Sequence, residues 1–154
     1  MTTYQFDEQL AIGQAHEQYL DTLFARWFTI TPATSAQQRR GIDRVFVHRT
    51  TGATYRVEYK ADAIAGKTGN AFIETTSVDT TGRAGWAISS EADVLVYMVT
   101  APETIYAIKM QTLRRALRRW QRSYPKRAAQ NNGYRTWGHL VPLAELEKIA
   151  WEVR

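Results

Sequence analysis

The sequence predicts an α/β or α+β domain built on a central mixed β-sheet flanked by helices. Three observations predict it. Residues 7–28 carry helical periodicity, with Leu20, Leu23, Phe24, Trp27 and Phe28 on one apolar arc. Residues 42–48 and 54–60 are short alternating segments separated by a turn at Thr51-Gly52, the pattern of a hairpin. The run ADVLVYMV at 92–99 is apolar without interruption, as in a strand covered on both faces.

The other elements follow in order. TPATSAQ breaks the first helix. A third strand is expected at 71–75 after the loop ADAIAGKTGN, and the polar, glycine-bearing stretch 76–85 reads as a loop. Residues 104–110 form a further strand, followed at once by a helix through about Arg122. NNG at 131–133 is a turn, residues 139–141 are a short strand, and Pro142 opens a final helix reaching Val153. With no internal repeat, low-complexity tract or long linker, residues 1–154 are expected to form one domain.

Composition excludes several classes. The chain has no cysteine, which removes a disulfide framework, a thiolate zinc site and a cysteine nucleophile. No apolar run approaches the roughly 20 residues that span a bilayer, and MTTYQFDEQL lacks the apolar core of a secretory signal. A soluble, cytoplasmic protein with no membrane partner is expected. The net charge of +5 is unevenly placed: between Glu103 and Glu145 there is no acidic residue, while Lys109, Arg114, Arg115, Arg118, Arg119, Arg122, Lys126, Arg127 and Arg135 fall in that stretch. Such asymmetry points to a polyanionic partner, usually nucleic acid.

The candidate chemistry lies on the hairpin. Glu58 and Lys60 are two apart on a strand and share a face. A two-residue loop at Thr51-Gly52 would place Asp43 opposite Lys60 and diagonal to Glu58, so that two carboxylates and an ammonium converge. Two carboxylates suit a hard divalent cation such as Mg²⁺. Glu17 falls inside the apolar arc of the first helix, where a carboxylate needs a charged partner or a metal. His16 shares that arc, and His16, His48 and His139 show no ligand spacing. ADAIAGKT resembles the end of a phosphate-binding loop, but Ala61 stands where that loop has its first glycine.

The series of Glu17 on a helix, Gly41-Ile42-Asp43, then Val57-Glu58-Tyr59-Lys60 resembles the PD-(D/E)XK nuclease superfamily, with Ile42-Asp43 in place of Pro-Asp. The run KTGNAFIE at 67–74, Gly85-Trp86 and Ala92-Asp93 resemble a branch of small phage-associated nucleases within it. The resemblance covers roughly residues 10–110 and implies a restriction-endonuclease-like core using Mg²⁺ or Mn²⁺. It implies that Asp43 and Glu58 bind metal with the Tyr59 carbonyl, that Lys60 positions the attacking water, that Glu17 is an accessory ligand or holds a metal-bound water, and that Glu74 is a further candidate ligand.

On the helix after residue 110, Leu113, Leu117, Trp120 and Tyr124 share one face, and Arg115, Arg118, Arg119 and Arg122 cluster near the other. With no glutamate at i±4 the arginines repel one another unless an anion is near, and a DNA backbone would supply one. Lys126 and Arg127 extend this surface, and Lys67 and Arg83 lie in loops beside the proposed site. The expected activity is hydrolysis of DNA phosphodiesters by an endonuclease, structure-selective or of phage or mobile-element origin, acting as a homodimer. The alternative is a nucleic-acid-binding module that keeps the fold without turnover.

Overall fold

The computed structural model describes residues 3–154, so Met1 and Thr2 of the N-terminal reading lie outside it. In chain order the elements are α1 (Thr3–Phe24), β1 (Phe28–Pro32), α2 (Ser35–Gln38), β2 (Arg44–His48), β3 (Thr54–Asp62), α3 (Ala65–Thr68), β4 (Asn70–Val78), β5 (Arg83–Ala84), α4 (Trp86–Ser89), β6 (Val94–Thr100), β7 (Glu103–Lys109), α5 (Met110–Ser123), β8 (Lys126–Gln130), β9 (Arg135–Pro142), α6 (Leu143–Ile149) and β10 (Glu152–Val153). The chain is a mixed α/β domain. Its main sheet has six strands in the order β1-β2-β3-β6-β7-β10. The β3–β6 pair is parallel and the other pairs are antiparallel, so the sheet is mixed.

Strand β6 explains the layering. Val94, Val96 and Met98 point to one face and pack with Leu20 and Phe24 of α1, Phe46 and Tyr59. Leu95, Tyr97 and Val99 point to the other, where Leu113, Leu117 and Trp120 of α5 close a second core. Both faces are covered, which is why the run is apolar throughout. Each fully buried leucine or valine contributes roughly 1.5–3 kcal/mol relative to exposure.

A second sheet, not foreseen from the sequence, runs β5-β4-β9-β8 and is antiparallel. Ile73 and Val141 bury one of its faces in the α5 core. The stretch 76–85 is correspondingly less of a loop than expected, because β4 continues to Val78 and β5 pairs back onto it. Strand β8, KRAAQ, is exposed throughout and owes its conformation to pairing with β9. It has no alternation to announce it.

The helix expected to reach Phe28 ends at Phe24. Phe28 begins an edge strand instead, paired with His48 and packed on Phe46 at a centroid distance of 5.1 Å. An apolar residue one helical step past the end of a periodic arc fits either reading, and the β-branched run that follows decides for the strand. The final helix likewise stops at Ile149, and β10 adds to the edge of β7. Among the described residues no helix is long and apolar enough to cross a membrane.

Candidate active site

The site begins with the β2–β3 register. Arg44 opposes Val57 and Phe46 opposes Tyr55, two residues away from the expected pairing. The turn is longer than two residues: His48 N–H donates to Ala53 O at 2.8 Å, and the His48 Nδ1 accepts from Thr51 N at 3.1 Å. A shift of two preserves parity, so Asp43, Glu58 and Lys60 still share a face. Asp43 lies just before the first paired residue of β2, which brings it nearer Glu58 than the expected register did.

Asp43 is held where β2 begins. Its N–H donates to Val57 O at 2.8 Å, and its Oδ2 accepts from Tyr59 N at 2.7 Å. The Tyr59 amide lies past the end of β2 and has no ladder partner there, so the carboxylate replaces one. Arg56 O accepts from Asp93 N on the β6 side. By strand alternation the Tyr59 carbonyl is therefore directed toward the β2 edge, the side that holds Asp43. Gly41, just before this point, has φ of 76° and leaves no room for a side chain against Ser90. Its carbonyl accepts from Ser90 Oγ at 2.8 Å.

Glu58 is the most constrained of these groups. Its residue is only 3% exposed, and Oε1 accepts from Lys60 Nζ at 2.9 Å. Its other oxygen, Oε2, is buried with no hydrogen-bond partner. Ser90 Oγ, which lies 2.8 Å from Gly41 O, is the hydroxyl nearest to this carboxylate and favours its charged form. Burial pushes the Glu58 pKa up, opposed by the charge of Lys60. Glu74 on β4 faces the same pair. Burial raises its pKa as well, against Lys60 and the Trp86 backbone N–H it accepts from. Gly85 permits this approach, since a Cβ there would meet Glu74 backbone atoms at 2.6 Å. Glu58, Lys60, Glu74 and Arg83 line a cleft of about 320 Å³.

The orphaned oxygen of Glu58 is the observation that bears on a metal. A buried carboxylate oxygen without a donor is costly, and a hard cation would satisfy it. Among the described residues no three His, Asp or Glu side chains stand close enough to enclose a cation alone. Mg²⁺ does not require that, being held usually by one or two carboxylates with water and substrate phosphate. The residues present fit such a cation.

Glu17 is not brought to this group. It sits on the α1 side of the sheet, where its Oε2 accepts from Arg44 Nη2 at 2.9 Å. Arg44 also binds Asp21 through Nε at 3.0 Å, and Asp21 accepts from Tyr59 Oη at 2.9 Å. The inward-facing carboxylate thus has a charged partner on the opposite face from Glu58, which removes the reason to read it as a ligand. Arg44 was missed by the sequence reading. Its signal was present: Arg44 follows Asp43 on a strand, so it faces the helix on which Glu17 and Asp21 are spaced i, i+4. Arg44 Nη1 also donates to Asp43 O at 2.9 Å and so braces the cleft from behind.

The basic residues divide. Arg115 and Arg118 line, with Arg114 and Lys109, a groove of about 830 Å³ that shares Ser89 and Ser90 with the cleft. Arg119 is committed elsewhere: its Nη2 lies 2.7 Å from Glu145 Oε2 on α6. The neutralising acid comes from a different element, not from i±4. Arg119 and the Trp120 ring N–H hold the Glu145 carboxyl down at about 2. Arg122 is exposed at the C-terminal end of α5. Arg127 lines an apolar pocket next to the cleft, while Lys126 stands over the Trp137 ring at 5.5 Å. Lys67 is exposed on α3 and does not line the cleft.

No protein-family model matches the chain, and neither does any curated protein sequence. A solved structure of a bacterial homing endonuclease, I-Ssp6803I, is similar at 18% identity with a TM-score of 0.46, covering 91% of this chain and 79% of that chain. A likeness of that order transfers no residue role.

Proposed function

We propose that the chain is a metal-dependent DNA endonuclease of the PD-(D/E)XK kind. The observation that carries this reading is the buried, unpartnered Oε2 of Glu58 beside Lys60 at the floor of a cleft that opens onto arginines. Glu58 and Asp43 would hold Mg²⁺ or Mn²⁺, with the Tyr59 carbonyl and Glu74 as further oxygen donors. A bound divalent cation would polarise the scissile phosphate and lower the pKa of water. Lys60 holds its ammonium at the same point through Glu58 Oε1, where it orients the attacking water and offsets charge developing on the phosphate. Arg83 on one side, and Arg115 and Arg118 beyond Ser89 and Ser90, accept flanking phosphates of the strand. Cutting both strands needs two such sites, which a homodimer would supply.

A second reading, a nucleic-acid-binding module without turnover, draws on one observation: the described residues contain no compact trio of metal-ligating side chains. Incubation with Mg²⁺ or Mn²⁺ on linear, supercoiled, single-stranded and four-way-junction DNA separates the two. Metal-dependent cutting that Glu58→Gln and Lys60→Ala both abolish is expected. Retarded bands with no cutting in either metal would establish the binding module instead.

A further inference from the structure

Beyond Lys60 and Trp86 the cleft continues into a second cavity of about 580 Å³, set between the end of β3 and the small sheet. That volume falls in the ~300–1,000 Å³ range of small-molecule pockets. Phe72 and Leu140 are paired across β4 and β9, and Arg127 is paired with Gly138, so strand alternation sets Phe72, Leu140, Arg127 and Ala129 on one face. The cavity therefore combines an apolar wall with two cationic lining groups, the Arg127 guanidinium and the Lys60 ammonium. Ile64 stands at its lip with 67% of its surface in water, the most exposed large apolar side chain among the described residues. The phenol and the carboxylate in the cavity wall are committed within the protein. Tyr97 Oη donates to Asp62 Oδ2, and Asp62 Oδ1 accepts from the Ile64 and Ala65 amides.

We propose that this pocket receives one unstacked nucleobase of the strand whose phosphate lies against Lys60. The assignment of the phosphate rests on the nuclease reading; the pocket itself rests on its own walls. An aromatic and aliphatic lining with two cationic side chains fits a flat apolar ring carried on a phosphate backbone. A wall whose Tyr97 and Asp62 groups are satisfied internally reads ring shape and stacking rather than base identity. The substrate class that follows is DNA with an extruded or unpaired nucleotide beside the cut, such as a bulge, flap or junction arm, without strong sequence preference. A fully stacked duplex pays the unstacking free energy of a few kcal/mol first.

Binding in EDTA isolates the pocket from catalysis. The probe is a duplex with one unpaired 2-aminopurine nucleotide, compared with the same duplex fully paired. Expected are roughly tenfold or greater preference for the unpaired probe, about the worth of one base stack, and a change in 2-aminopurine fluorescence on binding. Ala129→Trp, which fills the pocket from an exposed strand, and Ile64→Ser, at an exposed lip, should each bring the preference close to unity with thermal unfolding unchanged. Equal affinity for both probes with unaltered fluorescence at saturation overturns the proposal, as does a preference that survives in both variants. Adding Mg²⁺ to the same duplexes tests hydrolysis separately. Base preference without cutting overturns the nuclease and leaves the pocket, cutting without base preference overturns the pocket alone, and absence of any DNA binding overturns both.

Discussion

The two faces of β3 hold charge in opposite ways. Facing α1, Arg44 is shared between Glu17 and Asp21, and Asp21 also accepts from Tyr59. Facing the cleft, Glu58 is buried with one oxygen paired to Lys60 and one paired to nothing. Residues adjacent in sequence, Asp43 and Arg44 or Glu58 and Tyr59, are sent to these different environments by alternation alone. The difference teaches how to tell a structural carboxylate from a functional one. Both are acids near a cation, and they differ in two ways: Glu17 and Asp21 keep 40% and 30% of their side-chain surface in water against 4% for Glu58, and only Glu58 has an unmet oxygen.

Cleavage kinetics should break the two faces apart most sharply. Glu58→Gln and Lys60→Ala are each expected to lower the single-turnover rate by about 10²–10³-fold, the usual size for removing a transition-state stabiliser. Glu17→Gln should leave that rate within a few-fold of the parent. An equal loss for Glu17→Gln would place α1 in the site and erase the distinction.

Stability should respond in reverse. Arg44→Ala removes the cation shared by Glu17 and Asp21, whose side chains keep 40% and 30% of their surface in water, so the loss of these charged hydrogen bonds should cost about 1–3 kcal/mol, measurable by urea unfolding. Little or no loss would mean that the α1 network is slack.

Glu58 sharpens the comparison through pH. Its folded pKa is raised, so the folded chain keeps this proton longer than the unfolded chain does. The associated stability is complete below the ordinary value of 4.5 and is lost as pH rises through the raised value. At pH 7–8 without metal, Glu58→Gln should therefore melt higher than the parent, with roughly 2–4 °C for each ~1 kcal/mol relieved. Added Mg²⁺ should raise the parent's melting temperature and leave Glu58→Gln unmoved. A lower melting temperature for Glu58→Gln would mean that its ionised form is fully compensated.

The smallest effect concerns α5. Arg115→Gln and Arg118→Gln should each reduce the slope of log affinity against log salt by at most about 0.9. Arg119→Gln should change the slope least, because Arg119 is paired to Glu145. Equal effects of all three would put the whole helix on the phosphate backbone.

Several parts of this molecule were readable from residue order. The apolar run of β6 implied layers on both sides, and the pairing of Glu58 with Lys60 followed from a period of two. The shared face of Asp43 survived an incorrect register because the error was an even number of residues. The strands expected at 71–75 and 139–141 lie within β4 and β9, but strand β8, the continuation of β4 and the pairing of β4 with β9 into a second sheet were not legible, since an exposed strand such as KRAAQ forms only where a partner already offers its edge. The partner of Glu17 was out of reach for a related reason: helical projection placed it on the apolar arc but could not show that Arg44 stands opposite it.

Taken alone, the sequence determined the local periods, the basic stretch free of acids, and which side chains along one strand could act together, because these depend on backbone geometry within an element. Tertiary structure alone decided that Glu17 belongs to Arg44, that Arg119 belongs to Glu145, and that Glu74 and Trp86 close the cleft over Lys60. Those pairings join residues on separate elements, and their energies depend on distance and burial, which exist only once the chain has packed.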